Sequence, residues 1–416
     1  DPDATAERIA AFSTRDAQRW RELSAAFPGE AETLFALLGG PMKINALASF
    51  LLRLWRRKGR AGAAATLRFL LSSPREWLTE TFETPQLRAL LAAWGMHLDF
   101  APDIAGGALF PYLEGMANQA FGMVIGKGGA DVMIRALVAM IEARGGRVEC
   151  DAPVARILHD GARATGVELA GGRKVMARRA VIAGVAPSAL VRLADGALKP
   201  RFAEAMTRFA HAPGTMMIHL ALSDLPAWRD PALRGFAYVH IAPDLDAMAR
   251  AYQEAMAGLL PRAPVLVVGQ PTAIDPSRAP EGKHVLWMQL RMAPAVIRGD
   301  AAGQITATDW AEAAEPFAER ALDLLDTHAP GIRDRILGRR VFSPADLEAW
   351  NPNLVGGDQI CGSHHLSQNF LFRPAFGSAD GSTPLKGLHL TGAAVWPGAG
   401  VGAGSGFALA RRLAGT

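Results

Sequence analysis

The chain has 416 residues, enough to bury a large core and to build two or three domains. Half of the residues are hydrophobic, a fifth are charged and the formal net charge is +4, which excludes general disorder and gives no concentrated basic surface for nucleic acid. Cys150 and Cys361 form no CxxC pair and suit unpaired thiols in a reducing, cytoplasmic setting, and no apolar run is long enough to span a bilayer.

Residues 1–122 read as a mainly helical cap, with breaks at Pro28-Gly29, Gly39-Gly40-Pro41, Pro74 and Pro85. Within it, Leu47, Phe50, Leu51 and Leu54 follow helical spacing, with Arg53, Arg56, Arg57, Lys58 and Arg60 alongside and Trp55 at the edge. Two readings are open for residues 44–60: a core-facing helix with a solvated basic face, or a helix lying peripherally on an anionic membrane. Ala61 to Leu71 adds a further helix.

Residues 123–199 change period. A helix begins near Asp131, with Ile134, Leu137, Val138 and Ile141 on one face, and ends at Gly145-Gly146. A strand is expected at Arg147 to Cys150. Then follow Val154 to His159, Gly166 to Leu169 and Lys174 to Ala177, joined by Asp-Gly and Gly-Gly turns as a β-meander, and a last strand at Ala180 to Ala183. Helix, strand, meander, strand is the pattern of the second half of a dinucleotide-binding fold.

Residues 200–339 read as an α+β unit, with strands Thr215 to Leu222, Phe236 to Ile241, Val265 to Gly269 and Val285 to Met292, and helices Asp244 to Leu259 and Thr308 to His328. Met216, Met217, Trp287 and Met288 are either core or the lining of an apolar pocket. Residues 340–416 return to the cofactor unit. Cys361, His364 and His365 have no second Cys/His cluster to complete a zinc set, so no metal is expected.

The C-terminal run GLHLTGAAVWPGAGVGAGSGFALARRLAGT reads as a buried strand, Leu388 to Thr391, a Gly/Pro loop, and a helix starting near Val401. Glycine at a strand end removes the Cβ that would hold a ligand away, and a helix start offers free N–H groups to an anion. Gly402, Gly404 and Gly406 cost helix stability, so either a cofactor or a neighbouring group must approach them closely.

GLHLTGAAVWPGAGVGAG resembles the C-terminal flavin motif of the phytoene desaturase family. SPADLEAWNPNLVGGDQICGSHHLSQNFLFRP and GKGGADVMIRALVAMIEARGGRVECDAPVARIL resemble two further segments of its phytoene-dehydrogenase-like members. The family's Thr-His before Pro-Gly is Val395-Trp396 here, so no role of that His transfers. The resemblance implies an α/β FAD-binding dinucleotide (Rossmann-like) fold of the glutathione-reductase/amine-oxidase type, lacking its first βαβ unit, with an α+β substrate domain and a helical cap. No GxGxxG occurs in the sequence, so the turn that holds the FAD pyrophosphate is expected in a truncated N-terminal segment or a second chain.

By the same resemblance, Val154 contacts the adenine, Gly392, Ala393, Gly398, Gly400, Val401 and Gly402 contact flavin and ribitol, and His364, His365, Arg373 and Trp396 approach the ring or substrate. The implied activity is FAD-dependent desaturation, or the reverse saturation, of a hydrophobic, isoprenoid-like small molecule. The alternative is a non-catalytic member of the fold that binds lipid or a protein partner.

Overall fold

A computed structural model describes residues 1–400 and 402–415. The N-terminal cap consists of helices Pro2–Ala10, Thr14–Leu38, Ile44–Leu71, Pro74–Thr81, Pro85–Gly95 and Leu109–Phe121. Helices end or begin at three of the four expected breaks. The exception is Pro28, which lies inside Thr14–Leu38. A mid-helix proline costs about 3 kcal/mol, but Phe27, Ala31 and Leu34 on either side are all buried in the cap core. Burial of each large apolar side chain is worth about 1.5–3 kcal/mol, so packing outweighs the lost bond. Gly59, at φ +68°, divides Ile44–Leu71 into two helical pieces.

The central unit is a five-stranded antiparallel sheet in the order Ile336–Phe342, Gly214–Leu222, His284–Ala293, Val265–Gly269, Tyr238–Ile241. Met216, Ile218, Val268, Met288 and Leu290 face one side, where Phe317, Ala321 and Leu325 of helix Trp310–His328 cover them. Strand alternation sends Met217, Trp287 and Gln289 to the opposite face, so the four candidate pocket residues divide: Met216 and Met288 are core, whereas Met217 and Trp287 are half-exposed. Ile336–Phe342 crosses the boundary read at 339/340. Its Gly338, Arg339 and Arg340 give no apolar alternation because it is an edge strand with little burial.

A buried ion pair holds the end of this unit. Arg320 donates to Asp300 Oδ1 and Oδ2, both at 2.7 Å, and the backbone N–H groups of Gln304 and Ile305 add to the acceptor's load. Burial pushes the Asp300 pKa up, but these donors, Arg320 foremost, bring it below the usual carboxylate range. Its contribution to stability is therefore complete above the unfolded pKa of about 3.9 and lost as pH falls through the lower folded value. Asp300→Ala strands a buried guanidinium and is expected to cost about 3–5 kcal/mol in denaturant unfolding at neutral pH, with a smaller difference from wild type in acid.

The meander Val154–His159, Ala164–Leu169, Lys174–Met176 forms as expected. Beside it, Val181–Ala183 and Leu388–Leu390 pair in parallel, with Leu390 opposite Ala183. Val181, Ala183, Leu388 and Leu390 bury one face of this pair against Leu190 and Met206, while Ile182 on the other face is exposed. One expectation fails here. Arg147–Cys150 is not a strand, since it has no ladder partner to satisfy its backbone. The stripe on helix Asp131–Glu142 points outward: Ile134 is 60% and Leu137 50% exposed, and no residue of this helix is buried.

Candidate functional site

Both parallel strands run into glycine at the same edge. Gly184 follows Ala183, and Gly392 lies two residues beyond Leu390. Ligands of open α/β sheets bind outside the carboxyl ends of strands, and here that edge is bare backbone. A Cβ placed at Gly184, Gly392, Gly400 or Gly402 would meet nothing within 4 Å beyond its chain neighbours. Gly392 and Gly400 also have φ of +100° and +146°, where a Cβ is disfavoured. Together they form an open cradle between the strand ends and the C-terminal helix.

That helix spans Gly404–Ala414, starting three residues later than expected, because Ala403 takes the left-handed conformation at φ +51° and breaks the helical run. No side chain caps its first turn. Gly404 is explained by the protein itself: a Cβ there would come within 2.8 Å of the Pro397 ring. Val401 lies outside the described residues.

Side chains from three separate segments fix the cradle. Ser405 Oγ accepts from Gly392 N and donates to Gly392 O, both at 3.0 Å, tying the helix start to the strand end. His364 Nε2 accepts from Ala399 N at 3.0 Å. Arg373 donates to Ala393 O through Nε and Nη2 at 3.1 and 2.8 Å. Each such bond contributes about 1 kcal/mol net, and together they replace the regular ladder that this loop lacks.

These contacts revise several assignments made from sequence. His364, Arg373 and Trp396 are buried in the scaffold behind the loop, and Arg373 is 0% exposed. Gly398 is glycine because of His364, whose Nε2 would lie 2.4 Å from its Cβ. Ala393 turns its carbonyl back to Arg373. Trp396 donates from Nε1 to Gly40 O at 3.2 Å and packs with Met42, Phe50 and Leu54, so it anchors the loop to the cap. Val154 opens the first meander strand opposite Leu169, partly exposed. His365 is partly open, with Nε2 2.9 Å from Asp99 O, 3.2 Å from Asp99 Oδ2 and 3.3 Å from Tyr252 Oη. Burial raises the pKa of the Asp99 carboxyl, and His365 opposes that shift. Ser405 and Gly184 were not singled out from sequence; a serine among helix glycines and a glycine after an apolar strand were the available signals. Among the described residues no group of three His, Cys, Asp or Glu side chains could hold a metal ion.

A Cβ at Gly184, Gly392, Gly400 or Gly402 meets open space, and Ser405, His364 and Arg373 tie the loop backbone, so the residues fit the ring of FAD approached through backbone. Gly184, Gly392, Gly400 and Gly402 would hold the group through backbone.

No family model matches the chain. It is 26% identical to pyridine nucleotide-disulfide oxidoreductase domain-containing protein 2 of Rattus norvegicus, over 95% of this chain and 72% of the relative. It is also 28% identical to the lycopene-forming phytoene desaturase of a Paracoccus species, over 67% of this chain and 52% of that one. The chain is a homologue of the phytoene desaturases. A third relative, one of the subunits of limonene dehydrogenase from Castellaniella defragrans, is 23% identical over 100% of this chain and 76% of its own length. The chain thus spans about half to three quarters of the length of these curated relatives. Among solved structures, an oxidoreductase of Methanosarcina mazei matches with TM-score 0.51 and 21% identity, over 81% of this chain and 66% of that chain. A putrescine oxidase variant also has TM-score 0.51, at 17% identity over 89% of this chain and 74% of that chain. Both share the fold.

Proposed function

We propose that the protein is an FAD-dependent oxidoreductase that desaturates, or in reverse saturates, a hydrophobic isoprenoid-like molecule. The observation that carries this reading is the open glycine cradle at the ends of two parallel strands. Bound there, a flavin would supply hydride acceptance from a C–H bond. The relatives named for phytoene and limonene, both hydrocarbons, support the substrate class. We assign Ser405, His364 and Arg373 to holding the loop, and the half-exposed Met217 and Trp287, on the sheet face opposite helix Trp310–His328, to the substrate side. Trp287 lies flat over Gly269, where any Cβ would come within 2.0 Å of the indole, and sits 5.4 Å from the Tyr238 ring. Such a wall offers apolar contact without buried polar cost. Anaerobic addition of an isoprenoid hydrocarbon to the FAD-loaded protein should remove the oxidised-flavin absorbance. An unchanged spectrum across hydrocarbon, alcohol and amine substrates would favour the non-catalytic, lipid-binding alternative.

The cap supplies the basis for peripheral membrane contact. Phe50 and Leu54 face the core, yet Ile44, Leu51, Leu52 and Trp55 form a second apolar stripe that is exposed. Arg57 and Lys58 pair with Glu32 and Glu30, whereas Arg53, Arg56 and Arg60 make no ion pair among the described residues. A cavity of about 650 Å³, lined by Met42, Ile44, Leu371 and Phe376, adjoins the stripe at Ile44. Among the described residues no helix is long and apolar enough to cross a membrane. The protein is expected to float with anionic liposomes, and Arg53/Arg56/Arg60→Glu to abolish this, since each basic residue at such a surface contributes about 1 kcal/mol. Equal flotation of the variant would return the stripe to ordinary surface.

A further inference from the structure

Arg373 heads the fully buried large side chains of the protein, and it has no ion pair among the described residues. Its donors all end on carbonyl oxygens: Ala393 O, Ser363 O at 2.8 Å, Cys361 O at 3.1 Å and Gly362 O at 3.3 Å. The Phe209 ring lies beneath it, 5.5 Å from the guanidinium carbon. Asp358, a fully buried carboxylate of the same region, is already engaged by the N–H groups of Ala212, Ile360 and Gly362 and by His211. Desolvation brings the guanidinium pKa down to about 10, opposed by Cys361 and by the Asp358 charge, which reaches it without an ion pair, so it is charged at neutral pH.

An unpaired buried cation is a costly way to tie a loop, since a neutral amide can also donate to carbonyls. What distinguishes arginine here is its charge, and the charge has a direction. A Cβ on Gly398 would lie 3.2 Å from Arg373 Nε, and Ala393 accepts from the guanidinium directly. One layer of backbone therefore separates the cation from the open side at Gly392 and Gly400. The uncapped start of helix Gly404–Ala414 adds positive potential on the same loop. Cys361 and Phe370, at φ +50° and +52°, are strained residues in the segment that the guanidinium ties down.

We propose that Arg373 is a positioning residue that also charges the cradle, so that the site favours an anionic ring over a neutral one. This rests on the flavin reading, in which the favoured occupant is the reduced, negatively charged flavin.

Two variants separate clamp from charge. Arg373→Lys keeps the charge and loses the fork, whereas Arg373→Gln keeps a donor and loses the charge. Hydrogen exchange at Ala399, whose N–H is held by His364 next to the Arg373-bound Ser363 carbonyl, reads the clamp in the ligand-free protein, and the ratio of reduced to oxidised FAD affinity reads the charge. Arg373→Lys should speed exchange at Ala399 at least tenfold while keeping the affinity ratio near that of wild type. Arg373→Gln should lower the ratio about tenfold, equivalent to about 30 mV for a two-electron couple. If neither variant folds, the wild type still decides, because its reduced FAD must bind more tightly than its oxidised FAD. The reverse order, or an unchanged ratio in Arg373→Gln, overturns the charge claim. Wild-type exchange in Arg373→Lys overturns the clamp. Failure of wild type to bind FAD at all, when joined to the segment or chain that supplies the GxGxxG turn, overturns the flavin reading, and the charge claim falls with it.

Discussion

Gly402→Val is expected to weaken FAD binding at least tenfold while leaving the thermal midpoint within about 2 °C of wild type. A Cβ at Gly402 meets nothing within 4 Å beyond its chain neighbours, and its backbone is outside the positive-φ range, so the fold offers little resistance to it. The same side chain would stand in the space assigned to the flavin at the helix start. Gly400 is a poorer probe. The space before it is also open, but φ of +146° makes any side chain strained, so Gly400→Val should lose stability and affinity together. The midpoint and the FAD dissociation constant measured on both variants separate strain from ligand clash. Normal affinity in Gly402→Val would remove this residue from the site.

Gly398→Ala should show the opposite pattern, a loss of stability of about 2–4 kcal/mol from the inside of the loop. Its Cβ would press to 2.4 Å from His364 Nε2 at φ +103°, and the backbone is too constrained to yield. His364 would have to leave the Ala399 N–H, freeing the loop. Pairing it with His364→Ala relieves the clash but leaves the positive φ, so denaturant unfolding of the double variant should recover part of the loss. Gly398→Ala as stable as wild type would contradict the role given to His364.

The elements that position the site were legible because they obey short-range rules. The Asp-Gly and Gly-Gly turns fixed the meander, and the apolar run before Gly392 marked the strand whose end forms the cradle. The side chains holding the cradle were not legible. Arg373 and His364 read as approaching the ring or substrate through the family resemblance, whereas the structure buries both. The loop from Cys361 to Phe372 contains short 3-10 turns and no strand, so its carbonyls need donors from elsewhere, and Arg373 answers that need. Such a requirement is tertiary and leaves no periodicity. Helix Asp131–Glu142 shows the converse, since its apolar stripe gave the helix correctly but not what lies against it.

Hydrogen exchange of the protein joined to the segment or chain that supplies the expected GxGxxG turn, with and without saturating FAD, tests the central claim most directly. The account predicts slowed exchange at Gly392, Gly400 and Gly402 and in the first turn of Gly404–Ala414, with no comparable change in the Gly214–Leu222 sheet. Saturable binding that leaves the Gly392–Gly402 loop unprotected, or no binding, would contradict it.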